Sequence, residues 1–182
     1  LAFSAHKMYG PTGVGVLYGK NSLLNNIRPI IFGGGMNSTY NSDFARIYDE
    51  VPSLLEAGTP NIAGVIGFGA IIEYLNHLDM NQIEQYEHNL REYAVSELKK
   101  IENVIIYNET SESSIITINY KDIFAQDLAI YLNKYHICVR AGNHCSKILK
   151  DEINIKNTVR ISLSFYNTKE EIDQLVSALK NP

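Results

Sequence analysis

The chain has 182 residues, 45% hydrophobic and 20% charged, with a formal net charge of −4. That length and apolar content suffice for one globular unit or two small lobes. The mildly acidic balance and the absence of a basic stripe argue against nucleic-acid binding through phosphate neutralisation, and no apolar run approaches the roughly 18 residues of a membrane helix.

Taken in chain order, residues 1–5 and 14–18 read as short apolar strands around a turn holding Gly10, Pro11, Thr12, Gly13 and Gly15. Asn21 to Asn26 reads as a short helix. Gly33, Gly34 and Gly35 must form a loop. Residues 36–55 show no clean period and are expected to form a long irregular segment. Asn61 reads as the N-cap of a helix over 62–78. That helix is apolar almost all round and so is expected to be buried, with Gly64, Gly67 and Gly69 allowing another backbone close. A second helix starts near Asn81. Ile83, Tyr86, Leu90, Tyr93, Ala94, Leu98 and Ile101 form its apolar stripe, and Glu84, Glu87, Arg91, Glu97 and Lys100 its polar face. Strands follow at 104–107 and 114–119, a helix at 125–135, and strands at 136–140 and 158–165. The last helix runs from Lys169 to Leu179 behind a Thr168–Glu171 capping-box pattern. This mixture predicts an α+β lobe from 79 to 182. Residues 1–78 read as the tail of a larger α/β domain, with residues 1–57 poorly packed and the strand carrying Val14, Val16 and Leu17 uncovered.

A few residues could carry chemistry. Lys7 sits between a strand and a tight turn, where a desolvated ammonium can lose its proton and serve as a Schiff-base amine. Taken alone, it is equally a solvated surface lysine. Thr59 lies at a helix start whose backbone N–H groups can bind anions. Cys145 lies in a glycine-containing loop with Arg140, His144 and Lys147 near it in sequence, the surroundings a reactive thiol needs. Cys138, between Ile137 and Val139, reads as a small buried hydrophobe. Arg160, on an alternating strand, could grip a carboxylate with two hydrogen bonds or make a surface ion pair. The two cysteines form no CxxC pair, so no disulfide framework is expected and a reducing compartment such as the cytoplasm is the natural reading. His136 and His144 lack a second ligand pair for zinc.

The segment SAHKMYGPTGVGVLY at 4–18 resembles the pyridoxal-phosphate lysine segment of cysteine desulfurases, in the SufS-like branch of the class V aminotransferase superfamily. GGGMN at 33–37, EAGTPN at 56–61, RAGNHCSK at 140–147 and VRISLSFYNTKEEID at 159–173 agree in the same order. The resemblance implies the C-terminal half of a fold-type I pyridoxal-phosphate enzyme, because such proteins are about twice this length and the chain starts at Leu1 inside a strand. Residues 1–78 would be the remnant of the large cofactor-binding domain and 79–182 the small domain. It implies that Lys7 carries pyridoxal phosphate, with Ser4 and His6 contacting its phosphate, and that Thr59 contacts the phosphate of a partner subunit in a homodimer. Cys145 would take the sulfur of L-cysteine as a persulfide, releasing alanine, and pass it to a small acceptor protein for iron–sulfur cluster or thiolated-RNA pathways. Arg160 would bind the substrate carboxylate, with Arg140 matching a second substrate-binding arginine near the cysteine loop.

The chain departs from the family pattern at Asn143, where a second histidine is common, and at Ile148 and Leu149, where a proline follows the cysteine. Leu54 and Leu55 replace an arginine or aromatic. Two other readings stand beside the desulfurase. One is a selenocysteine lyase or other class V member. The other is an inactive C-terminal piece with an incomplete cofactor site.

Overall fold

The glycine and proline run after Lys7 turns the chain back on itself. β1 (Ala2–Ser4) pairs antiparallel with β2 (Gly15–Leu17), with Phe3 opposite Val16. A 3₁₀ turn at Ala5–Lys7 follows β1 directly, so Lys7 lies one turn beyond the strand end. The computed structural model describes residues 1–40, 46–48, 50–180 and 182, which divide into two compact units, Leu1–Leu78 and Asp79–Pro182.

In the first unit, α1 (Asn21–Leu24) is followed by β3 (Asn37–Tyr40) and β4 (Arg46–Tyr48), an antiparallel pair with a register shift between Asn37 and Thr39. A hairpin therefore stands where an irregular segment was expected. The segments NSTY and RIY are short and carry no apolar alternation, so periodicity could not find them. The same expectation over 41–45 and 49 lies outside the described residues. α2 (Ile62–Asn76) starts where Asn61 accepts a hydrogen bond from Gly64 N at 3.0 Å. Ala5, Val14 and Phe68 form a small core with Phe3, Met8 and Val16 against it. Gly64 permits that packing, because a Cβ there would lie 2.7 Å from Val14 Cγ2. The hairpin is thus partly covered: Val14 is buried, although Leu17 is 55% exposed. Burial of α2 is not observed, since Ile62, Val65, Ile66 and Ile72 are exposed and Phe68 alone of its residues is buried. Phe68 is held in the small core with Ala5 and Val14, while the other residues of α2 are exposed or half-buried.

The second unit opens with α3 (Met80–Leu98), capped by Asp79, which accepts from Asn81 N and Gln82 N. β5 (Val104–Ile106), β6 (Ile115–Tyr120), α4 (Ala125–Asn133), β7 (Arg140–Gly142), α5 (Lys147–Glu152), β8 (Thr158–Ser162) and α6 (Lys169–Leu179) complete it. The strands form one antiparallel sheet in the order β5-β6-β8-β7. Alternation along β6 and β8 sends Ile116, Ile118, Val159 and Ile161 into the core with Leu90, Leu98, Leu128, Leu132 and Leu179. Thr117 and Arg160 face the opposite side of the sheet. The Thr168–Glu171 box forms both of its bonds at the start of α6. Three expectations fail here. Residues 136–139 lie outside any strand, and β8 stops at Ser162. Arg91, expected on a solvated helix face, is 3% exposed, because the buried stripe of α3 runs through Leu90, Arg91, Ala94, Val95 and Leu98.

Candidate active site

In the first unit the chain fixes Lys7 through its backbone. Met8 N and Gly10 N both donate to Ala5 O at 2.9 Å, and Ala5 N donates to Val14 O at 3.0 Å. Gly10 is required there, because a Cβ would meet the Phe68 ring at 2.8 Å and Ala5 Cβ at 2.9 Å. The Lys7 side chain is exposed. It borders an open depression of about 570 Å³ that also takes in Phe3, half-buried Ser4, Val16 and Leu17. An amine and a hydroxyl at the edge of one depression fit an aldehyde-bearing anion. His6 is exposed and does not line that depression. Thr59 is also exposed, just after Gly58, which adopts φ +77° and donates to Gly34 O at 2.8 Å. The backbone ahead of α2 is thus pinned to the triple-glycine loop while the threonine side chain stays accessible.

In the second unit β7 ends at Gly142 and the chain makes a turn before α5. Ser146 N donates to Asn143 O at 2.9 Å. His144 and Cys145 are consecutive left-handed residues, at φ 53° and 60°. Two non-glycine residues there carry backbone strain that the surroundings must over-determine. Cys145 is exposed at this turn. The His144 ring turns inward, with Nε2 3.0 Å from Thr158 O and 3.1 Å from Thr158 Oγ1. Burial pushes its proton affinity below the ordinary imidazole value, and the charges of Lys150, Arg160 and Arg140 act in the same sense. Its Nδ1 is buried with no hydrogen-bond partner.

Arg140 and Arg160 are direct cross-strand partners on β7 and β8, and Thr117 of β6 lies opposite Arg160 on its other side. Like charges directly opposite one another destabilise a ladder. Arg160 is half-buried, and its Nε is buried without an acceptor. Two register-paired arginines, one with a buried donor that lacks an acceptor, suit a carboxylate. Sequence reasoning named each arginine; the register supplies their pairing. Cys138 is exposed, contrary to expectation. Ile137 and Val139 pack against the core, and Cys138 between them faces outward. Lys150, buried beside the cysteine turn at 7% exposure, carried no sequence signal, and neither did the short helix α5 that bears it. Among the described residues no group of three or more His, Cys, Asp or Glu side chains could hold a metal, and no helix is long and apolar enough to cross a membrane.

The fold and these two loops define a class: the chain belongs to the aminotransferase class-V family, whose family model matches residues 1–175. Within it, the similarity is to cysteine desulfurases. The chain is 42% identical over 183 residues to a probable cysteine desulfurase of Halalkalibacterium halodurans, covering 98% of this chain and 44% of the relative. The crystal structure of cysteine desulfurase CsdA from Escherichia coli superposes with a TM-score of 0.92 at 39% identity, over 98% of this chain and 44% of that one. A cysteine desulfurase from Thermococcus onnurineus gives 0.90 at 33% identity, over 98% and 45%. The chain therefore spans about 44% of the length of the curated relatives it matches.

Proposed function

We propose that this chain is the C-terminal half of a pyridoxal-phosphate-dependent cysteine desulfurase that converts L-cysteine to L-alanine. The observation that carries the reading is an exposed thiol, Cys145, on a strained turn directly beyond a strand whose Arg140 pairs with Arg160. Cysteine desulfurases as relatives at about 40% identity support it.

In this reading Lys7, Ser4, His6 and Thr59 would hold the cofactor, with Thr59 reaching the site of a partner subunit in a homodimer. Pyridoxal phosphate, when bound, supplies an electron sink for bond cleavage next to the amino-acid Cα. Arg160 and Arg140 grip the substrate carboxylate and fix its orientation. Lys7 Nζ moves protons at the substrate carbon. Cys145 Sγ attacks the substrate sulfur. A sulfur–sulfur bond forms, the carbon–sulfur bond breaks, and alanine leaves with Cys145 as a persulfide. Exposed Ile148, Leu149 and Ile153 on and beside α5 offer apolar surface near that persulfide for a small acceptor protein, within iron–sulfur assembly in the cytoplasm.

The test uses the whole protein. Cys145→Ser should abolish persulfide formation while borohydride still fixes pyridoxal phosphate to the protein, and Cys138→Ser should change little. Lys7→Ala should lose the fixation. Fixation surviving in Lys7→Ala, or a dominant effect at Cys138, would overturn the reading. Selenocysteine lyase chemistry would use the same residues and is distinguished by comparing kcat/KM for the two amino acids.

A further inference from the structure

Helix α5 is inside out. Of its two lysines Lys147 is exposed but Lys150 is only 7% exposed, whereas Ile148 is 80% exposed and Leu149 59%. Burying an ammonium is costly without a partner charge, and none of the ion pairs among the described residues includes Lys150. Leucine or methionine would fill the same volume without that cost. What the lysine has instead is two oxygen acceptors: Nζ donates to Gly142 O at 2.5 Å and to Thr158 Oγ1 at 2.8 Å. Burial accordingly pushes its proton affinity below that of an ordinary lysine.

These two acceptors are not arbitrary. Gly142 ends β7, Thr158 begins β8, and the two are register partners. The Cys145 turn springs from this last rung of the ladder. Thr158 also holds the His144 ring, through its carbonyl and its hydroxyl. One ammonium therefore ties the root of the turn to the residue that anchors the histidine beside the thiol. The left-handed His144–Cys145 pair persists only where its surroundings fix it, and this network is the fixing.

We propose that Lys150 is the positioning residue of the Cys145 turn, pinning Gly142 and Thr158 so that the left-handed pair presents the thiol outward. The geometric claim stands on unit Asp79–Pro182 alone, and its catalytic consequence rests on the desulfurase reading. Lys150→Met keeps the bulk and removes the donors, and Thr158→Val removes the hydroxyl with little change of shape.

Hydrogen exchange on the chain should show the Ser146 amide, which closes the turn, exchanging at least tenfold faster in Lys150→Met. The effect should be smaller in Thr158→Val, and amides of α6 should be unchanged in both. The His144 ring nitrogen NMR signals should move in both variants, a signature that a merely space-filling lysine would not produce. An unchanged Ser146 rate, or acceleration spread equally through β6, β8 and α6, would overturn the proposal. In the whole protein, kcat for sulfur release should fall about tenfold in Lys150→Met with cofactor attachment intact. Absence of turnover in the unsubstituted protein would count against the desulfurase reading and leave the exchange result to decide the geometric claim.

Discussion

Replacing Arg91 with methionine should destabilise the Asp79–Pro182 unit by about 3 kcal/mol. The guanidinium donates through Nε to Ser113 O at 2.6 Å, through Nη1 to Glu109 O at 3.2 Å, and through Nη2 to Asn108 O. It thus gathers the β5–β6 connection onto α3 with three carbonyls at once. Methionine preserves the aliphatic packing and strands those acceptors, each costing about 1–3 kcal/mol if left dry. A cleft of about 470 Å³ beside Arg91, Glu109 and Ser111 admits water to part of this group. The Asn108 side chain independently ties the connection, accepting from Thr117 N at 2.8 Å and donating to Ile115 O at 2.7 Å. Removing a buried guanidinium also relieves a desolvation cost. One or two carbonyls left effectively unsatisfied give the figure of about 3 kcal/mol. Arg91→Lys keeps the charge but cannot fan out to three acceptors, so it should lose about 2 kcal/mol. The opening free energy is read from hydrogen exchange of the buried Ile116 and Val159 amides. A loss under about 0.5 kcal/mol in Arg91→Met, with unchanged exchange over 108–113, would refute the argument.

In the whole protein, Arg160→Ala should weaken L-cysteine binding about a hundredfold, or about 2.8 kcal/mol, with cofactor attachment retained; unchanged affinity by substrate titration would make Arg160 a structural residue. His144 has a folded proton affinity below the ordinary value of 6.5. Below pH 6.5 the unfolded chain therefore binds a proton that the folded unit resists, and stability falls as pH falls, by up to about 1.4 kcal/mol per pH unit. Above pH 6.5 this contribution is absent, and His144→Asn should flatten the acid limb of a denaturation series. Thr168→Ala removes the α6 cap and should cost about 1 kcal/mol in urea unfolding, with no effect on thiol labelling of Cys145.

The parts legible in the sequence were those whose signal is local. The capping box before α6 is two residues at fixed spacing, and both of its bonds form. The Lys7 turn is written in glycines, one of which, Gly13, adopts φ +78°. Arg91 and Lys150 were not legible, because a long side chain at the edge of an apolar stripe can either reach water or bend inward to carbonyls. Only the position of distant acceptors decides which. Cys138 was misjudged through phase. Its neighbours turn inward, and alternation does not reveal which member of a triplet faces out until the start of β7 is known. The Arg140–Arg160 pairing depends on strand register, which two separate segments cannot disclose on their own.

Both margins of the four-stranded sheet are strands of only three residues, β5 and β7. Brevity at a margin discourages other chains from adding on by backbone pairing. At β7 it has a second consequence. Within the sheet that strand pairs with β8 alone, through Arg140, Ala141 and Gly142, and α4 packs against it, while β6 and β8 hold the centre of the sheet together. The β6–β8 ladder is complete without β7, so the segment bearing Cys145 is held by its pairing with β8, by α4 and by the Lys150 bonds rather than by the centre of the sheet. In the desulfurase reading proposed above, a thiol that first meets a substrate and then hands its cargo to a second protein is mounted just beyond a three-residue strand at the margin of the sheet.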